Sequence, residues 1–80
     1  MSYDFHKQDA ALLKYVGSTI RKYRIHNSID IIDFSVMCGI KQDMILDIEE
    51  GNIDIYLDDL SSIATALGIS TIDLVDIPPG

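Results

Sequence analysis

Apolar residues recur at helical spacing in five stretches of this chain, and glycine or short polar segments separate them. The first stretch has one apolar residue every three or four positions, which is the spacing of one face of a helix. Asp9 is its predicted N-cap, and Asn27-Ser28 is predicted to end it. The stripe of this first helix consists of Leu13, Val16, Ile20 and Tyr23.

Two shorter helices are predicted around Gly39. Asp30 is a suitable N-cap for the first of them, and Gly39 and Gly51 end the two helices, because glycine adopts the left-handed conformation without steric penalty. The predicted bounds are Ile31 to Cys38 and about Lys41 to Glu50. The predicted core positions are Phe34, Cys38, Ile48 and either Met44 or Ile45.

A fourth amphipathic helix follows a loop over residues 52–56, with Asp54 as its predicted cap and Gly68 as its end. Its apolar stripe consists of Leu57, Leu60, Ile63, Ala64 and Leu67. Ser70 or Thr71 is predicted to cap a last short helix, which ends before Pro78-Pro79. That last helix contains Ile72, Leu74 and Val75.

No stretch alternates as a half-buried strand does for more than a few residues, so the pattern predicts an all-α domain, a compact bundle of five helices. We expect a flexible N-terminal extension over residues 1–8, the domain over residues 9–77 and a tail over residues 78–80. A chain of 80 residues makes one small domain, and 48% hydrophobic residues are enough for its core.

The charge is distributed unevenly along the chain. Residues 1–26 hold five of the six bases and two acids, whereas residues 27–80 hold Lys41 alone against eleven acids, for a net charge of −7. Such a balance favours solubility or basic partners and lowers the encounter rate with nucleic acid. No charge-free run is long enough to cross a membrane, and the N-terminus has no signal-peptide pattern. A single cysteine excludes an internal disulfide and fits a reducing cytoplasm.

Catalytic and metal-binding patterns are weak. His6 and His26 are twenty residues apart, without cysteine or carboxylate at ligand spacing, so we expect no metal site and no cofactor. Cys38 falls on a core position without a basic neighbour, which favours a small buried apolar residue over a nucleophile. Adjacent acids such as Asp58-Asp59 point about 100° apart on a helix and do not form a catalytic pair. We therefore do not expect an enzyme.

The region from Val16 to Val75 resembles the helix-turn-helix domain of the phage-repressor (Cro-like, Xre) family. The segments that carry the resemblance are Ile20-Arg21-Lys22-Tyr23-Arg24, Gly39-Ile40-Lys41-Gln42, the set Ile45, Ile48, Glu49 and Gly51, and Ile63-Ala64-Thr65-Ala66-Leu67-Gly68-Ile69-Ser70 followed by Ile72-Asp73-Leu74. The resemblance implies a lambda-repressor-like fold with the helix-turn-helix unit over about residues 30–50, and a bacterial or phage-encoded cytoplasmic regulator that binds double-stranded operator DNA as a homodimer.

The resemblance also implies particular residue roles. Arg24 at the end of the first helix and Glu49 at the end of the third match a structural ion pair of the family. The residues that match the DNA-reading positions of the third helix are Lys41, Gln42, Asp43, Met44 and Asp47. Apart from the resemblance, the only other bases available to DNA phosphates are Lys14, Arg21, Lys22 and, unless Glu49 engages it, Arg24; of these, Arg21 and Lys22 are the predicted DNA contacts.

Two features of the sequence depart from the family and support a second hypothesis. Asp43 and Asp47 stand where the family has small polar or basic residues. The outer positions of the second helix, where the family has polar residues, are Ile31, Ile32, Val36 and Met37. Contiguous exposed apolar surface marks protein interfaces, although Tyr3 and Phe5 could fold over this one. The alternative function is therefore a protein-interaction module, an antirepressor or heterodimerising adaptor whose acidic third helix does not bind DNA.

Overall fold

The computed structural model describes residues 9–75, which form five helices and no strand. The helices are α1 (Ala10–His26), α2 (Ile31–Cys38), α3 (Gln42–Glu50), α4 (Leu57–Leu67) and α5 (Thr71–Val75). The all-α fold predicted from the sequence is confirmed. The predicted extension over residues 1–8, residues 76–77 of the predicted domain and the tail over residues 78–80 lie outside the described residues.

Aspartate caps begin the first two helices, as the sequence predicts. The Asp9 carboxylate accepts the backbone N–H of Leu12 at 2.8 Å, and the Asp30 carboxylate accepts that of Asp33 at 2.8 Å. Each bond satisfies one of the free N–H groups at a helix start. Asp54 does not cap α4, contrary to the prediction, because α4 begins at Leu57, with Tyr56 at the N-cap and without a side-chain cap bond.

Left-handed residues end the first four helices. Gly39, Gly51 and Gly68 have φ angles of 68°, 73° and 72°, and Ser28 has a φ of 58° after α1. At the end of α1, the Ile29 N–H donates to the Arg24 carbonyl oxygen at 3.1 Å. This six-residue closure defines a Schellman turn and turns the chain towards α2.

The core lies between all five helices. Its fully buried side chains come from every helix and include Ile20, Phe34, Ile45, Leu60, Ile63 and Leu74. Ile55, in the predicted loop before α4, is buried as well, and the helical pattern alone does not identify it. Leu57, predicted to be in the apolar stripe of α4, is exposed instead, because it is the first residue of that helix and lies beyond the edge of the core.

The most extensive helix contact is between α1 and α3. A Cβ atom on Gly17 of α1 would lie 2.6 Å from the Glu49 carbonyl oxygen and would overlap the Ile48 carbonyl oxygen. A Cβ atom on Gly51 would likewise lie 2.8 Å from the Cα atom of Lys14. The two backbones therefore approach to a distance that only glycine permits at these positions.

Candidate nucleic-acid interface

The segment from α2 to α3 forms a helix-turn-helix unit with a closed turn. Gly39 ends α2, and its N–H donates to the Ser35 carbonyl oxygen at 2.9 Å. The Ser35 hydroxyl donates in turn to the carbonyl oxygen of Ile40, whose side chain is buried in the core. Because the turn is bonded on both sides of Gly39, the start of α3 has a defined position relative to α2.

Arg24 and Glu49 form a bidentate ion pair between α1 and α3. The Arg24 Nε–H donates to Glu49 Oε2 at 2.7 Å, and Nη2–H donates to Oε1 at 3.0 Å. Nη1–H donates to the carbonyl oxygen of Ile29 at 2.9 Å, just before α2. The Glu49 side chain is only 4% exposed. The hydrogen bond to Glu49 raises the pKa of Arg24 above its ordinary value, and the pair holds the end of α3 on α1.

Charged residues at both ends of α3 oppose the helix dipole, although Asp43 in the first turn favours it. Glu49 and Glu50 lie in the last turn, where the partial charge is negative, and that turn has no base. Arg24 supplies the positive charge that α3 itself lacks. At the other end Lys41 is the N-cap, where the partial charge is positive, and its side chain makes no cap bond. A serine or aspartate at this position would favour helix formation more strongly.

The predicted DNA-reading residues do not all share one environment. Lys41, Gln42 and Asp43 are exposed at the start of α3. Met44 and Asp47 are half-buried, and Met44 packs against the core. The free surface at the start of the helix therefore consists mainly of the first three residues.

One exposed residue of α3 was missed by the sequence prediction. Leu46 lies four residues after Gln42, on the same side of the helix, and is largely exposed. The sequence did contain a sign of this exposure, namely the position of Leu46 around the helix. Leu46 directly follows Ile45 and therefore cannot share the buried stripe formed by Ile45 and Ile48. The outer side of α3 thus combines polar, acidic and apolar groups.

The free cations of α1 lie on its outer side. Arg21 and Lys22 are exposed. With Ser18, Ile25 and His26 they line an open groove with a volume of about 410 Å³. Arg24 does not belong to this set, because its guanidinium is engaged by Glu49 and Ile29.

Three of the four apolar residues predicted for the outer side of α2 are exposed. The exposed fractions are 58% for Ile32, 79% for Val36 and 51% for Met37. Ile31 is half-buried and packs on the core, so it contributes less free surface than the other three residues. Tyr3 and Phe5, the alternative cover for this surface, lie outside the described residues.

The residues with other chemistry are few. Cys38 is buried, and burial raises its pKa to about 11, so the thiol stays protonated near neutral pH and packs as a small apolar group. In the described part of the chain, no group of three histidine, cysteine, aspartate or glutamate side chains could hold a metal ion. Within the same residues, no helix has the length and apolarity needed to cross a membrane.

Several solved structures have the same fold as this chain. Neither a protein-family model nor a curated protein matches the chain. The restriction-modification controller protein C.AhdI from Aeromonas hydrophila superposes with a TM-score of 0.78 at 23% identity, over 80% of this chain and 97% of that one. The clp gene regulator ClgR from Corynebacterium glutamicum gives 0.77 at 20% identity, over 81% and 69% of the two chains.

A third solved structure is similar over almost the whole chain. The hypothetical transcription factor NHTF from Neisseria gives a TM-score of 0.77 at 20% identity, over 99% of this chain and 85% of that one. The chain therefore has the phage-repressor-like helix-turn-helix fold, which it shares with these structures.

Proposed function

We propose that this protein is a small transcriptional regulator that binds double-stranded operator DNA as a homodimer, with α3 in the major groove. The observation that carries the proposal is the free start of α3: Lys41, Gln42 and Asp43 are exposed on a helix that Arg24 and Glu49 hold in place. A rigidly supported helix with free polar groups at its N-terminal half suits base recognition. The regulators among the structural neighbours support this class over an enzyme.

The exposed groups have distinct roles in this proposal. Gln42 pairs with the N6 and N7 atoms of adenine, and Asp43 accepts a hydrogen bond from the N4 atom of cytosine. The half-buried Met44 contacts a thymine methyl group, and Asp47 lies beside it at the edge of the groove. Lys41 binds a phosphate, because its ammonium group is exposed at the start of α3.

Few cations are available to bind the DNA backbone. Lys41, Arg21 and Lys22 are the exposed bases assigned to phosphates, and Arg24 is engaged inside the protein. With three contacts in each protomer, the logarithm of the binding constant should fall with the logarithm of salt concentration with a slope of about −3 per protomer. Binding therefore relies more on base contacts than in a strongly basic regulator.

A gel-shift titration tests the proposal. The full chain is mixed with fragments of the genome that encodes it at about 50 mM salt, where phosphate contacts are strongest. We expect a specific complex that Gln42→Ala weakens about tenfold or more and that Ser61→Ala, an exposed change on α4, leaves unaltered. Failure of the wild-type chain to bind any fragment at this salt concentration would refute DNA binding. Sedimentation that shows only a monomer on the operator would refute the homodimer.

A second candidate function is a protein-interaction module, an antirepressor or an adaptor that heterodimerises with a DNA-binding relative. The exposed apolar side of α2, at Ile32, Val36 and Met37, favours it, as do the exposed acids Asp43 and Glu50 of α3. In a pull-down, the double change Ile32→Asp and Met37→Asp would then release the captured partner. Both candidate functions need no cofactor and act in the cytoplasm of a bacterium.

A further inference from the structure

The outer side of α2 is an apolar surface that no described residue covers. Phe34 and Cys38 face the core, where α2 packs on α3 and α4. Ile32 and Val36 are four residues apart on the opposite side, and Met37 follows Val36 directly. We call these three residues the α2 ridge. Exposed apolar residues that are grouped in this way mark a binding surface more often than scattered ones do.

The charged side chains of α2 and of its N-cap, which lie near the α2 ridge, are all negative. Asp33 is exposed and lies three and four residues before Val36 and Met37, so its carboxylate is on the same side. Asp30 adds a second carboxylate at the N-cap. No lysine or arginine occurs between Asn27 and Ile40, and Lys41 at the start of α3 is the first base that follows.

We propose that the α2 ridge binds a basic amphipathic helix of a partner protein. An apolar stripe on the partner packs against Ile32, Val36 and Met37, and lysine or arginine beside that stripe pairs with Asp33. This is the usual arrangement in which an amphipathic helix is recognised by apolar anchors and flanking charges. The inference rests on the protein-interaction surface of the second candidate function, for which it names a partner chemistry, and it makes no demand on α3.

The charge of the α2 ridge argues for such a partner over a second copy of this chain. Two α2 ridges face to face would bring together their Asp33 carboxylates and two chains of net charge −7. An eight-residue helix is about 12 Å long, which matches two turns of a partner helix.

The test uses a defined probe, a 14-residue peptide with leucine on one helical face and lysine elsewhere. It is titrated into the full 80-residue chain while the backbone amides are followed by NMR. We expect the shifts to be concentrated on residues 31–38. A matched peptide with glutamate in place of lysine should not bind.

Variants separate apolar docking from general charge attraction. Val36→Ser together with Met37→Ser should weaken peptide binding about tenfold or more, because interface anchors carry most of the binding energy. Asp33→Asn should weaken it severalfold, whereas Asp58→Asn, which removes an exposed acid from α4, should not. Shifts spread over the acids of α3 and α4, with unchanged affinity in the double serine variant, would overturn the proposal.

Two further readouts separate the remaining explanations. The molecular mass in solution is measured without peptide at increasing protein concentration. If the mass rises for the wild-type chain but not for the double serine variant, a second copy occupies the α2 ridge, and the proposal is overturned. Operator binding by that variant should equal the wild-type value. Failure of the peptide proposal and failure of DNA binding are therefore distinguishable.

Discussion

The inner and outer sides of α3 differ in how far their side chains are buried and hydrogen-bonded within the protein. On the inner side, Ile45 and Ile48 are buried and the Glu49 carboxylate has both oxygens bonded to Arg24. On the outer side, Lys41 and Gln42 are exposed and make no side-chain hydrogen bond to a described residue. The inner side therefore determines where the helix lies, and the outer side is free to bind something else.

The difference also shows which side is adapted to stability. Lys41 occupies an N-cap without a cap bond, although a serine there would stabilise the helix. A position that keeps a less stabilising residue, where a simple substitution would stabilise the fold, is a candidate for a functional role. The predictions below change residues on the inner side first and on the outer side last.

The largest expected effect follows removal of Arg24. Arg24→Ala leaves the buried Glu49 carboxylate without its partner and should lower the free energy of unfolding by about 3–5 kcal/mol. Arg24→Lys should give an intermediate loss, because an ammonium group cannot make the bidentate contact. Urea denaturation followed by circular dichroism measures both. An unchanged midpoint in Arg24→Ala, or an equal loss in the exposed control Arg21→Ala, would contradict this role.

A smaller loss is expected where α1 crosses α3. Gly17→Ala places a methyl group against the carbonyl oxygens of Ile48 and Glu49, so the helices must separate. The cost should exceed the gain in helix propensity and leave a net loss of about 2 kcal/mol. Ser18→Ala, the neighbouring exposed position, is the control and should be neutral or slightly stabilising. A Gly17→Ala variant as stable as its control would show that the helix contact is looser than the structure indicates.

The smallest effect is a gain on the outer side. Lys41→Ser should stabilise the domain by about 1 kcal/mol by supplying the missing cap bond, and should weaken operator binding by removing a phosphate contact. Tyr56→Ser is the matched control, because Tyr56 is also an N-cap without a cap bond, at the start of α4. It should stabilise the domain without altering DNA affinity. Equal DNA affinity in both variants would remove Lys41 from the interface.

The order of the helices was predictable from the sequence because local signals agree with tertiary packing. Asp9 and Asp30 cap where predicted, and Gly39, Gly51 and Gly68 end helices in the left-handed conformation. These features depend on a few neighbouring residues, so a single sequence contains them. The core position Ile48 was predicted for the same reason, whereas the sequence left Met44 or Ile45 open and the structure buries Ile45.

Features that depend on distant residues were predicted less well. The requirement for Gly17 arises from the backbone of α3, about thirty residues later in the chain, and helix periodicity contains no sign of it. Leu57 fits the stripe of α4 but lies beyond the core, and Ile55 is buried although it lies outside any helix. The role of α3 stays a prediction, because exposed residues are constrained by a partner that the sequence does not contain.

The three hydrogen-bonded contacts of Arg24 restrict how this fold can be divided. Its guanidinium joins the end of α1, the carbonyl oxygen before α2 and the end of α3, so the two-helix unit depends on a side chain outside it. Transplanting residues 30–51 into another protein would bring a buried carboxylate without its counter-charge. Recombination between relatives should therefore preserve α1 and α3 together.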